Sequence, residues 1–166
     1  ADRLVDRPEE VLEARRRVHR ERNAVGGVAC RLATMAAGDV AEAPDATDRL
    51  AALMGLVNSG STSAAQPLKR FYQDFKNEAL VVDKWFSLQA VATHTDVKAV
   101  RKLMTHPAFT LKNPNRARSL IFSFCNGNPA QFHAPDGSGY AFWAEQVLAL
   151  NKLNPQVAAL LVRTLD

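Results

Sequence analysis

Apolar residues recur three and four positions apart along most of the chain, and no segment alternates with the period-2 rhythm of a half-buried strand. Pro8 opens a first helix, and Val25, Val28, Ala29, Leu32, Met35 and Ala36 line one face of a second that Gly38 stops. An acidic, flexible link from Gly38 to Ala46 leads to a third helix capped by Thr47. Leu50, Leu53, Met54 and Val57 point inward there, and Asn58-Ser59-Gly60-Ser61 breaks it. A fourth helix starts near Ala64 and carries the stripe Leu68, Phe71, Tyr72, Phe75, whose spacing marks core rather than a ligand box. A fifth runs from about Leu80 to Val91 with Val82, Trp85 and Leu88 inside. Asp96 caps a sixth, Val97 to Thr105, with Val97, Val100, Leu103 and Met104 buried and Pro107 beyond its end.

Asn113 followed by Pro114 reads as a cap and first helical residue: the Asn side chain accepts from an orphan amide, and proline loses nothing where its missing donor would have no partner. In this seventh helix Ala117, Leu120, Ile121 and Phe124 share one face, leaving Asn115, Arg116 and Arg118 in an exposed or half-exposed first turn. Such a mouth serves either to bind a carboxylate, through orphan amides and guanidinium groups, or simply as a capped surface helix with solvated arginines. From Cys125 to Gly139 there follow two Asn, two Pro, three Gly and an Asp. That composition predicts tight turns with positive φ rather than regular structure. His133 in this loop reads as a hydrogen-bonded turn residue, not a catalytic one. Tyr140, Trp143, Val147 and Leu148 restart a helical face, and Asn154-Pro155 caps a final helix. Short helices joined by short turns predict an all-α fold of stacked antiparallel helix pairs. The expected architecture is an alpha-alpha superhelix, HEAT-like in outline, forming a single domain over residues 1–166.

With 166 residues, 47% of them hydrophobic, the chain can bury a substantial core, so disorder is not expected. No apolar run reaches the roughly 18 residues of a membrane span. The start, Ala1-Asp2-Arg3, has no initiator Met and no signal-peptide organisation, so the chain reads as soluble and as part of something longer. Cys30 and Cys125 each sit on an apolar helical face. Reduced core thiols there point to the cytoplasm. The net charge of +4 is modest, and its densest part, Arg15-Arg16-Arg17 to Arg22, is interleaved with Glu9, Glu10, Glu13 and Glu21. No aromatics alternate with that run, so nucleic acid is not an expected partner. His19, His94, His106 and His133 form no pair at helical ligand spacing, and H-E-x-x-H does not occur. The chain is therefore read without a metal site or a catalytic residue of its own.

Four motifs in order carry a family resemblance. Asp83-Lys84-Trp85-Phe86, the run from Asn113 to Arg118, Phe132-His133 with Asp136-Gly137-Ser138-Gly139-Tyr140, and Asn154-Pro155-Gln156-Val157 together resemble the C-terminal helical domain of bacterial alanyl aminopeptidase N, a zinc metallopeptidase. The similarity runs from about Thr47 to Val157, and more loosely from Asn23 to Gly38. The resemblance implies a helical superhelix that closes over a zinc-bearing catalytic domain and lines the chamber through which peptides reach the metal. It implies zinc in the parent enzyme and none in this chain, with the catalytic domain and peptide substrate as partners. It also implies peptide-positioning roles for Asn115, Arg116, Arg118 and Gln156. Asp83-Lys84-Trp85-Phe86 reads as structural, with Asp83 and Lys84 suited to ion pairs. The chain departs from the family pattern in having Leu160 where an Arg is common, a shorter segment from Gly38 to Thr47, and an end at Asp166 ahead of further helices. A solenoid ending there is expected to present an apolar end face. The alternative reading is a stand-alone helical scaffold that binds a protein or peptide partner in its concave face.

Overall fold

The computed structural model describes residues 46–60 and 62–165. The first two helices, the acidic link, the basic run and Cys30 lie outside the described residues. Within them every regular element is helical. Helix α1 spans Ala46–Asn58, and a 3₁₀ turn at Thr62–Ala64 leads into α2, Ala65–Phe75, followed by α3, Ala79–Ala90, and α4, Val97–Met104. Helix α5, Pro114–Ala117, runs through a π-helical turn at Arg118–Phe122 into α6, Ser123–Gly127. Then come α7, Pro129–Phe132, α8, Ser138–Leu153, and α9, Pro155–Val162, with a closing 3₁₀ turn at Arg163–Leu165.

The helix starts follow from their capping residues. The Asp96 carboxylate accepts from the Ala99 amide at 2.8 Å. Asn113 Oδ1 accepts from the amides of Asn115 and Arg116 at 3.0 and 3.3 Å. Asn154 Oδ1 accepts from the Val157 amide at 3.2 Å. Each satisfies amides that the helix geometry leaves without partners. Thr47, expected as a cap, instead lies within the first turn of α1.

The α1–α2–α3 layer packs its apolar faces together. Helix α3 then lies along the α5–α6 rod, α4 bridges that rod to α8, and α8 folds back on α9 through the single residue Asn154. The outcome is the expected all-α stack of antiparallel helix pairs. Phe71, Phe86, Phe124, Phe132 and Phe142 are each at most 1% exposed. Burying a ring of this size is worth about 1.5–3 kcal/mol. Two indoles add fixed bonds between helices, Trp85 Nε1 to the Leu68 carbonyl and Trp143 Nε1 to the Leu161 carbonyl, both at 3.0 Å. Trp85, Val82 and Leu88 are buried as predicted.

Three expectations change. Met54 is 45% exposed and Leu148 is 67% exposed, because Leu56 and Phe142 with Gln146 face the core in their helices. Leu148, Leu153, Leu160 and Val162 leave an apolar surface on the last two helices. The stretch from Cys125 to Gly139 is not all turn: it contains the end of α6 and all of α7. Gly137 does take positive φ, +70°, but Gly139 does not. Gly139 is required for a different reason, since a Cβ there would lie 2.1 Å from the carbonyl oxygen of Phe132. The start of α8 is thereby pressed directly onto α7. Asp136 accepts from the Ser138 amide at 3.0 Å, which together with this contact explains the whole Asp136-Gly137-Ser138-Gly139 motif as a tight joint. His133 Nδ1 lies 2.7 Å from the Tyr140 hydroxyl, the turn role expected of it.

Candidate functional site

Helix α3 presents a stripe of one leucine and three polar residues at helical spacing, and the α5–α6 rod a polar one. Leu80, Asp83, Lys84 and Ser87 come from α3; Asn115, Arg118, Ser119 and Ser123 come from the rod. The two stripes face one another across an open groove of about 460 Å³.

The groove wall is closed by hydroxyls. Ser87 donates to the Ser119 carbonyl at 2.8 Å, and Ser123 lies 3.1 Å from Ser87 Oγ. Ser119 donates to the Arg116 carbonyl at 2.9 Å. The π turn is the local reason. Widening the helix at Arg118–Phe122 shifts carbonyls out of the regular ladder, and serine hydroxyls supply the missing partners. Such turns often mark functional sites.

At the back of the groove lies a charge pair, Arg116 buried and Asp83 half-buried on the groove wall. Arg116, expected in an exposed or half-exposed first turn and as a peptide contact, is only 7% exposed. Its Nη1 lies 3.1 Å from Asp83 Oδ1 without a well-aligned hydrogen bond, so the attraction is chiefly one of charge. The guanidinium also stands over the Phe86 ring at 5.3 Å. Asp83, on a helix far away in the chain, holds this arginine inward, which periodicity within one helix does not reveal. Half-buried His106 packs beside this pair among Tyr72, Trp85 and Phe86, with ring centroids 4.6, 5.2 and 5.7 Å away. Its Nδ1 accepts from the Ala108 amide at 3.2 Å. Burial, and then the positive charge of Arg116, push the imidazole pKa down.

The fold thus brings Asn115 and Arg118 together in one groove and withdraws Arg116 from it. Gln156 is exposed on the first turn of α9 and is not part of that groove. The ion pair expected of Asp83 is made. Lys84, read as structural, instead stands exposed on the groove with no ion-pair partner among the described residues. Its spacing with Leu80 and Ser87 was visible, but the facing stripe was not. Among the described residues no three His, Cys, Asp or Glu side chains gather into a metal-holding group. Burial raises the Cys125 thiol pKa to about 12, leaving a core thiol rather than a nucleophile. No helix among the described residues is long and apolar enough to cross a membrane.

Comparison with known proteins agrees with this architecture. Residues 24–166 match the family model described as a domain of unknown function (DUF3458_C) with ARM repeats. The chain is 45% identical over 125 residues to aminopeptidase N of Escherichia coli, covering 75% of this chain and 14% of that protein. It is 40% identical over 129 residues to aminopeptidase N of Caulobacter vibrioides, covering 77% of this chain and 15% of that one. The crystal structure of Legionella pneumophila aminopeptidase A in complex with aspartic acid superposes with a TM-score of 0.67 at 38% identity, covering 71% of this chain and 14% of that one. The chain therefore spans only a small part of the relatives it matches. On the fold, the motif order and these matches, the chain belongs to the DUF3458_C family of ARM-repeat domains, homologous to the C-terminal helical domain of aminopeptidase N.

Proposed function

We propose that this chain is the substrate-access and peptide-positioning part of a zinc aminopeptidase that removes N-terminal amino acids from peptides. One observation carries the reading: in a chain homologous to aminopeptidase N, Asn115 and Arg118 share an open groove and neither side chain is committed to holding the fold. Arg118 can clamp a carboxylate or a peptide carbonyl, and the Asn115 amide can both donate and accept along an extended backbone. Gln156 offers the same amide chemistry from α9. Arg116, 7% exposed and paired with Asp83, supports the wall from behind rather than lining the groove. Zinc and hydrolysis belong to a catalytic domain outside this chain, which is also the partner this domain packs against. The buried thiol of Cys125 supports placement in a reducing compartment such as the cytoplasm.

The test is steady-state kinetics of the full-length enzyme carrying Asn115→Ala, Arg118→Ala or Gln156→Ala. Tetrapeptide turnover should show KM raised about tenfold, equivalent to about 1.4 kcal/mol, while a single-residue chromogenic amide too short to reach the groove is cleaved as before. Unaltered kinetics at every peptide length would remove the positioning role.

A further inference from the structure

We propose that the groove between α3 and the α5–α6 rod reads a peptide carboxylate, with Lys84 and Arg118 as its two cationic contacts. This rests on the peptide-positioning reading and names what that site selects. The charge arrangement carries it. Asp83 is the one acid lining the groove, and its charge is already met by Arg116 from behind. Lys84 and Arg118 line the same groove from opposite walls, both exposed, and neither has a carboxylate partner among the described residues. The groove therefore keeps a positive excess that no acid among the described residues cancels.

The hydroxyls narrow the choice further. Ser87 and Ser119 direct their protons to backbone carbonyls, and Ser123 lies within reach of Ser87 Oγ and the Arg118 carbonyl. The wall has few free donors for a neutral ligand, so recognition falls to the two cations and the Asn115 amide. A carboxylate can take a bidentate pair from Arg118 and a single bond from Lys84. Two sources can supply it, the C-terminal group of a short peptide or an acidic side chain.

Three matched peptides test this with the full-length enzyme: a neutral tetrapeptide with a free C-terminus, the same peptide as its C-terminal amide, and an amide whose last residue is Glu. The free acid should have a KM about fivefold below the amide, as expected of solvent-exposed charge contacts, and the advantage should fade at high ionic strength. Lys84→Ala and Arg118→Ala should each bring the acid-over-amide ratio toward one, and Lys84→Arg should preserve it. A Glu-ending amide that behaves like the free acid assigns the preference to any carboxylate; one that behaves like the plain amide assigns it to the C-terminus. Equal KM for acid and amide in the unmodified enzyme would overturn the carboxylate assignment. If Arg118→Ala also raises both values together, the positioning role survives without it. No change with any peptide or variant would remove both.

Discussion

Asn113-Pro114 and Asn128-Pro129 are the same dipeptide at the same kind of place, the entrance to a helix, yet their asparagines do opposite work. Asn113 is exposed and turns its side chain back onto its own helix, accepting from the next amides. Asn128 is 2% exposed and caps nothing with its side chain. Its Nδ2 instead donates to the carbonyls of Ala90, Ala92 and Thr95, at 3.2, 2.7 and 3.0 Å. With three carbonyls around it, the nitrogen position of that amide is fixed by chemistry. The difference lies in what each side chain can reach. The end of α3 leaves carbonyls without helical partners beside Asn128, whereas Asn113 faces only its own first turn and solvent. A motif names a capability, and the neighbouring chain decides which half of it is used.

The comparison can be broken or sharpened by substitution. The largest effect belongs to neither asparagine. Arg116→Ala should lower stability by about 3–5 kcal/mol, because it removes a guanidinium buried over the Phe86 ring and leaves the largely covered Asp83 carboxylate without its partner; urea unfolding measures it. A loss under 1 kcal/mol would show that Asp83 is rehydrated at no cost. Asn128→Ala should cost about 3 kcal/mol through the loss of a buried amide that bonds three carbonyls, of which that of Ala92 keeps the Thr95 amide as donor, and Asn128→Asp more, since it sets an acceptor against three acceptors. Asn113→Ala should cost only about 1 kcal/mol, the usual worth of a cap. Equal losses at the two asparagines would erase the distinction drawn between them.

The smallest effect concerns pH. The folded-state pKa of His106 is pushed below its usual value, so the unfolded chain takes up the proton first. Its contribution is complete above about pH 6.5 and is lost as pH falls from there through the folded-state pKa. Unfolding midpoints measured at neutral and mildly acidic pH should show a shallow decline that His106→Gln flattens. Glu145, held below its usual pKa by Arg101, loses its contribution only at lower pH, which separates the two windows.

Much of the fold was legible because helices announce themselves locally. Spacing placed Trp85, Val82, Phe71 and Val100 inside, and the caps at Asp96, Asn113 and Asn154 hold their helices as read. Misreadings cluster where a residue's fate depends on a distant partner. Met54 and Leu148 were placed inward because nearby positions share their periodicity. Gly139 was assigned to turn freedom when the cause is the Phe132 carbonyl pressed against it. The candidate site divides the same way: Asn115 and Arg118 were visible as an exposed helix mouth, while Lys84 was passed over and Arg116 misplaced.

By itself, then, the sequence determined the all-helical architecture, the helix starts at Asp96, Asn113 and Asn154 and most of the core, since these rest on residue spacing and short-range hydrogen bonding, while the order of four short motifs carried the family resemblance. Only the tertiary structure decided that Asp83 and Arg116 meet and neutralise one another at the back of the groove, and that Lys84 and Arg118 keep their charges in solvent. Pairwise electrostatics and burial depend on distances between segments far apart in the chain, which no local pattern encodes.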